Sequence, residues 1–155
     1  MRKTGNPAIK KYFLTVALFF SFSVVLYLGQ IFVTKQSEAL LKQTANGVLK
    51  SWSNTAPEVG NRIKLTTKGL SYTWTFDTIS KGNKTGLVFI TAITGNSGPY
   101  TGIFIYSPQN GVKFCGLAGI TGSNSNPDKY GITERILNAR MNKLGLIANE
   151  YGASK

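Results

Sequence analysis

The chain contains no histidine, a single cysteine (Cys115) and only six carboxylates among its 155 residues. The missing histidine removes the usual catalytic triads, most zinc sites and the commonest general base at neutral pH. One cysteine cannot close an internal disulfide, and without a histidine it lacks an activating partner. We therefore expect no catalytic, cofactor-binding or metal-binding residues, and we predict that the protein is not an enzyme.

Phosphate-binding glycine motifs are missing too, although the chain has 17 glycines. Neither a P-loop nor a G-x-G-x-x-G between a strand and a helix is present. Turns that require a positive φ explain the loop glycines better, as at Gly95, Gly98, Gly111 and Gly122.

The scarcity of acids leaves a formal net charge of +12, from 18 lysines and arginines. Such a charge favours anionic neighbours, either lipid headgroups or an anionic envelope polymer. The cations are scattered singly, which is typical of a solvated basic surface. Because no basic segment interleaves with aromatic residues, nucleic acid is not an expected partner.

One long segment lacks charge altogether. Residues 12–33, YFLTVALFFSFSVVLYLGQIFV, are 22 consecutive uncharged residues. As a helix they would extend roughly 33 Å, enough to cross a hydrocarbon core of about 30 Å. They predict a transmembrane helix, with the lipid bilayer as its partner. The hydroxyls of Thr15, Ser21 and Ser23 can bond to carbonyls one turn back, which lowers their cost in lipid.

The charges that flank this segment predict its orientation. Arg2, Lys3, Lys10 and Lys11 precede it without any acid. The positive-inside rule then places residues 1–11 in the cytoplasm as a basic tail. Residues 34–155 become one exported domain, periplasmic or extracellular. The alternative is a signal peptide cleaved after Ser37-x-Ala39, but a signal core of about 7–15 residues is shorter than this one.

Within the membrane segment, Ala17 and Ser21 form a small-xxx-small pair. Small residues one turn apart allow the backbone of a second helix to approach closely. They are our candidate helix–helix contact, although such pairs also arise by chance.

The exported domain begins with helical periodicity and continues with strand periodicity. Over residues 34–52, one face of the predicted helix carries Leu41, Ala45, Val48 and Trp52. Leu40 and Leu49 widen this apolar face. No helix breaker separates this amphipathic helix from the membrane segment.

From residue 62 the period is two, with strands predicted at 62–68, 70–79, 86–94, 100–107 and 112–120. A loop with Asn126 as N-cap and Pro127 at the first helical position precedes a helix over about 132–150.

These elements predict an α+β fold. An N-terminal transmembrane helix runs into an amphipathic helix, followed by a four- to five-stranded antiparallel meander and a C-terminal helix packed on the sheet. The strand at 70–79 alternates apolar and polar residues, which indicates a sheet with one face toward solvent.

The aromatic row of that strand, Tyr72, Trp74 and Phe76, has two interpretations. As core residues these side chains would face the helices. As a platform they would contact a ligand, such as a sugar, on the face of the sheet.

The order of elements resembles that of type IV pilins and pseudopilins, in which a membrane helix continues into a helix that packs on an antiparallel meander. A short basic leader ending in Gly5 is present. The next residues are NPAIKK, and Lys10 stands where that family has its glutamate. The resemblance therefore extends to the architecture alone.

An anchor, a compact exported domain and no recognisable chemistry together predict a non-enzymatic role. We expect a structural or accessory subunit of a cell-envelope assembly, in a secretion, pilus-like or surface machinery, with protein partners in the envelope. The alternative is a membrane-tethered binding module for a small ligand or an anionic polymer.

Overall fold

The computed structural model describes residues 7–65, 73–120 and 126–153. The chain divides into two compact units, Met1–Ala39 and Leu40–Lys155. Helix α1 (Pro7–Trp52) is continuous, so the two predicted helices are one.

In the first unit, every described side chain from residue 11 to residue 36 is exposed. Within the part of the chain that the structure describes, α1 is the one helix long and apolar enough to cross a membrane. Its hydroxyls bond one turn back, as predicted: Thr15 donates to the Lys11 carbonyl, Ser21 to Ala17 and Ser23 to Phe19, at 2.8–3.0 Å. These bonds remove the cost of unpaired hydroxyls in an apolar environment.

The second unit is built on an antiparallel sheet, which confirms the predicted meander. Its five strands lie in sequence order, and a single turn of 3-10 helix (Pro127–Tyr130) precedes helix α2. The strands are β1 (Glu58–Ile63), β2 (Thr73–Ser80), β3 (Asn83–Gly95), β4 (Gly98–Ser107) and β5 (Gly111–Leu117), and α2 is Glu134–Ala153. The first predicted strand, 62–68, shares only residues 62–63 with β1, which begins earlier, at Glu58. Residues 66–68 of that prediction lie outside the described part of the chain.

Helix α2 packs on one face of the sheet, as predicted. Side chains that alternate along the strands meet it there, and its own buried stripe holds Leu144, Ile147 and Ala148. Two rings of the sheet, Phe104 and Phe114, lie 5.2 Å apart at their centroids. We call this side the α2 face.

The last turns of α1 pack on the opposite side, which we call the α1 face. Ala45, Val48 and Leu49 are buried there against β1–β4. The Asn46 side-chain oxygen accepts a hydrogen bond from the Val59 N–H at 2.8 Å, which ties α1 to β1. Leu40, by contrast, is 65% exposed and does not belong to the buried stripe.

The prediction that one face of β2 is open to solvent is wrong. Thr75 and Asp77, on the polar side of β2, are both buried. The alternation of apolar and polar residues does not indicate exposure here, because polar groups on this side of the sheet have partners inside the protein. Thr73 and Thr91, for example, pair through their hydroxyls at 2.9 Å.

The predicted cap at residue 126 is present but begins a different element. The Asn126 side chain accepts from the Asp128 N–H, and Pro127 opens the 3-10 turn. Gly131 follows at φ 71°, and α2 begins only at Glu134. The loop therefore ends in its own capped turn before the helix.

Candidate functional site

A pocket of about 340 Å³ lies on the α1 face of the second unit. It forms where α1 ends, because the strands of the sheet continue past Trp52 without a helix to cover them. Residues at the ends of two hairpins, β2–β3 and β4–β5, line it together with the segment that follows α1. The lining consists of Trp52, Ser53, Thr55, Ala56, Pro57, Thr78, Ser80, Thr85, Ile105, Tyr106, Ser107, Gln109, Asn110, Gly111 and Lys113.

The apolar floor of the pocket continues the core beneath α1. Ala56 and Ile105 pack against the buried cluster on that side and also line the pocket. Trp52 stands at the end of the helix and is 42% exposed. The pocket therefore has a packed base, and its lining includes a partly exposed aromatic side chain.

Hydroxyl groups dominate the walls, and several form pairs. The Thr78 and Thr85 hydroxyls are 3.1 Å apart, and those of Ser53 and Thr55 are 3.0 Å apart. In such a pair only one O–H is used as donor, so the second O–H and further lone pairs can serve a bound molecule. Thr78 is buried and Thr85 is exposed, so Thr85 is the member of its pair that a ligand can reach.

Formal charge is sparse in the pocket. Among the lining residues that the structure describes, Lys113 is the one charged side chain, and none is a carboxylate. The C-terminal end of α1 contributes a partial negative charge. A binding site of this composition is suited to a polar molecule of low charge.

A second polar cluster lies on the α2 face, directly behind the β2–β3 end of the pocket. Asp77 is only 2% exposed, and its Oδ1 accepts a hydrogen bond from the Asn61 N–H at an irregularity in β1. Its Oδ2 has no partner of strict hydrogen-bond geometry among the described residues, but the Lys84 ammonium lies 2.9 Å away. An ammonium has three rotatable N–H donors, so we interpret this contact as a charge-assisted pair.

This ion pair is structural in character. The hydrogen bond to Asp77 and then the charge of Asp77 raise the pKa of Lys84 above its ordinary value. Gly60 is required beside it, because a Cβ there would collide with Asp77 Oδ1 and the Ile79 side chain. The cluster joins the irregular part of β1 to β2 and leaves no room for a ligand next to the Asp77 carboxylate.

The two sets of residues predicted from the sequence lie elsewhere. Ala17 and Ser21 are exposed on α1, where the Ser21 hydroxyl is bonded to the Ala17 carbonyl. Tyr72 lies outside the described residues. Trp74 is half-buried under the Arg62 guanidinium, which is 3.8 Å from the ring centroid.

Phe76 is fully buried between the sheet and α1. Of the two interpretations of the aromatic row, the core one describes Phe76. Its ring has no surface left to offer a ligand.

Cys115 is half-buried on the α1 face. Burial raises the pKa of its thiol to about 12. At neutral pH the thiol therefore stays protonated and is a poor nucleophile. No group of three or more potential metal-ligating His, Cys, Asp or Glu side chains occurs in the part of the chain that the structure describes.

The pocket itself was not predicted from the sequence, because its walls come from three separate segments. The helical periodicity places Trp52 on the predicted buried face of the helix, and Thr85 lies between two predicted strands. One feature of the sequence does indicate the pocket: Trp52 is the last residue of the apolar stripe and directly precedes the run SNTAP. A large ring at the last helical position has no further turn of helix to cover it.

Comparison with known proteins identifies a family. Residues 41–152 match the model of a family described as "Uncharacterised protein", and the chain belongs to that family. The match covers the strands of the sheet, the pocket and nearly all of α2. Neither a curated protein nor a solved structure matches the chain.

Proposed function

We propose that this family member is a single-pass membrane protein whose exported α+β domain is a structural or accessory subunit of a cell-envelope assembly. The observation that carries this proposal is the difference in burial between the apolar segment of α1 and the second unit. Its apolar residues 12–33 are exposed, whereas the second unit buries a core of its own. The exposed segment therefore needs lipid or other helices as its surroundings.

The orientation follows from the basic residues before the span. Thr4 is then cytoplasmic, and Asn138, an exposed residue of α2, is exported. Single-cysteine chains, T4C and N138C in a C115A background, test this with a membrane-impermeant maleimide on intact cells. We expect N138C to label at once and T4C only after lysis, and the reverse pattern would refute the orientation.

Assembly is tested by the native size of the cross-linked full-length chain after extraction in mild detergent. We expect a defined complex larger than the monomer, whose other members identify the machinery. A lone monomer would contradict the role as a subunit.

The face of α1 that contacts partners can be tested with a matched pair of variants. S21L fills the small-residue face at Ala17 and Ser21. S23L makes the same change about 200° around the helix, because each residue turns it by about 100°. We expect S21L to lose the cross-links and S23L to retain them. Equal behaviour of both variants would exclude this face as the contact.

The second candidate function is a membrane-tethered binding module. The pocket at the end of α1 favours it, because an apolar floor with convergent polar groups is the usual form of a small-molecule site. The two candidates are compatible, since the pocket and the exposed membrane segment belong to different units.

A further inference from the structure

The pocket on the α1 face presents three features that restrict what it can bind. It has little formal charge, its walls carry hydroxyls and amides, and a partly exposed indole belongs to its lining. The inference drawn from them deepens the binding-module candidate and rests on it, but it does not depend on the role in an assembly.

Charge excludes strongly ionic ligands first. No carboxylate is present among the described lining residues, so a cation finds only the partial negative charge at the end of α1, which the Lys113 ammonium opposes. Lys113 is exposed, and a lone exposed ammonium attracts an anion only weakly because solvent screens it. The partial negative charge at the end of α1 opposes an anion as well. A neutral ligand fits this balance.

The walls then select for a ligand with many hydroxyls. Six of the lining residues are serine or threonine, and Gln109 and Asn110 add two amides. Hydroxyls and amides both donate and accept, so they match groups that do the same. An apolar ligand would bury these groups without partners, at a cost of about 1–3 kcal/mol for each unsatisfied group.

The indole of Trp52 supplies the third element. It lines the pocket and is 42% exposed, whereas Trp74 is covered by Arg62. The face of an aromatic ring is electron-rich and attracts positively polarised C–H groups. A sugar ring has one face of such C–H groups and a rim of hydroxyls, so it complements both the indole and the walls.

We propose that this pocket binds a neutral saccharide, with one sugar ring stacked on Trp52 and its hydroxyls bonded to the serine, threonine and amide side chains around Thr85. The volume of about 340 Å³ lies at the lower end of the range of about 300–1,000 Å³ for small-molecule sites. The pocket therefore holds a monosaccharide or the end of a disaccharide.

The chain provides its own reporter, because it has only two tryptophans. The W74F variant of the full-length chain leaves Trp52 as the sole indole. It is purified in a detergent without a sugar headgroup and titrated with maltose, di-N-acetylchitobiose and sodium phosphate. We expect a saturable change in Trp52 emission with at least one of the two disaccharides and none with phosphate.

Matched threonine variants test the contacts. T85V removes a pocket hydroxyl, and T94V makes the same change at an exposed position of β3 outside the pocket. We expect T85V to weaken binding about tenfold, which corresponds to about 1.4 kcal/mol, and T94V to leave it unchanged. Equal affinities for T85V and T94V would refute the proposed contacts.

A second measurement covers the case in which W74F fails to fold. In the ¹⁵N-labelled full-length wild-type chain, the two indole N–H signals are resolved separately and assigned with W52F. We expect maltose or di-N-acetylchitobiose to shift the Trp52 signal and to leave the Trp74 signal in place. No shift with either sugar, or an equal shift with phosphate, would overturn the proposal. The cross-linked size of the chain, measured separately, would still decide the role in an assembly.

Discussion

The two faces of the sheet are made from the same five strands, yet they end differently. On the α2 face, a helix of 20 residues covers the strands, and buried rings meet beneath it. On the α1 face, the helix stops at Trp52 and leaves the ends of the strands as a pocket. Both faces contain buried core, and the extent of the covering helix therefore decides where on a face a pocket is left for a ligand.

The contrast is sharpest at the β2–β3 hairpin, where neighbouring residues point to opposite faces. Asp77 and Lys84 close the α2 face with an ion pair. Thr78 and Thr85 present a hydroxyl pair to the pocket on the α1 face. A one-residue step along each strand thus separates a structural polar contact from a candidate binding contact.

The largest effect should come from breaking the α2 face. Phe104 is fully buried there, so we expect F104A to lower the free energy of unfolding by about 3–5 kcal/mol. Urea denaturation in detergent, followed by near-UV circular dichroism, measures this. L146A, at a 67% exposed position of α2, is the control and should change the value by about 0.5 kcal/mol or less. Similar losses for the two variants would contradict the assignment of this core.

The next effect should come from Gly60, at the bulge that surrounds Asp77. A Cβ at this position collides with Asp77 Oδ1, so we expect G60A to lower the free energy of unfolding by about 1–3 kcal/mol. The same denaturation experiment applies. G47A is a control of opposite sign, because a Cβ at Gly47 meets nothing within 4 Å. Alanine in a helix interior is favoured over glycine by about 0.5–1 kcal/mol. A neutral G60A would show that the bulge does not need glycine.

The architecture could be predicted from the sequence because it depends on local patterns. Uncharged residues 12–33, the period-two alternation around Phe76 and the Asn110-Gly111 turn each reflect a property of one short segment. Gly111 has a positive φ of 67°, as predicted, whereas Gly95 does not have a positive φ. These signals were enough to predict the helical N-terminal region and an antiparallel meander, although the first strand begins at Glu58 and not at residue 62.

The pocket and the buried state of Asp77 could not be predicted in the same way. Both depend on which distant segments meet, and alternation along β2 reads Asp77 as solvent-facing. Its burial depends on the Asn61 N–H and the Lys84 ammonium, 16 and 7 residues away along the chain. The pocket likewise needs Trp52, Thr85 and Lys113 to meet at one end of the sheet.

A smaller effect on stability should come from the pocket side of the comparison. Trp52 is 42% exposed, so we expect W52A to lower the free energy of unfolding by only about 1 kcal/mol. The same variant should lose the binding of whichever disaccharide the wild type binds. Calorimetric titration of W52A with that disaccharide, beside urea denaturation, measures both properties. A loss of stability as large as that of F104A would place Trp52 in the core and not in a binding site.

The smallest effect should come from the exposed partner of the ion pair on the α2 face. K84Q removes the ammonium and leaves Asp77 without its charged partner, so we expect a small decrease in the melting temperature at pH 7. The pKa of Lys84 is raised in the folded state above its ordinary value of 10.5, chiefly by the hydrogen bond to Asp77. A raised pKa means that the folded state holds this proton more tightly. The stabilisation by the ion pair is therefore fully present below pH 10.5, and it is lost as the pH rises through the raised pKa of Lys84 in the folded state. Melting curves of the wild type and K84Q should therefore differ at pH 7 and converge only when the pH exceeds the raised pKa of Lys84 in the folded state, with K81Q in the adjacent turn as the control. A difference that persists in alkaline solution would mean that the lysine acts through packing of its side chain and not through its charge.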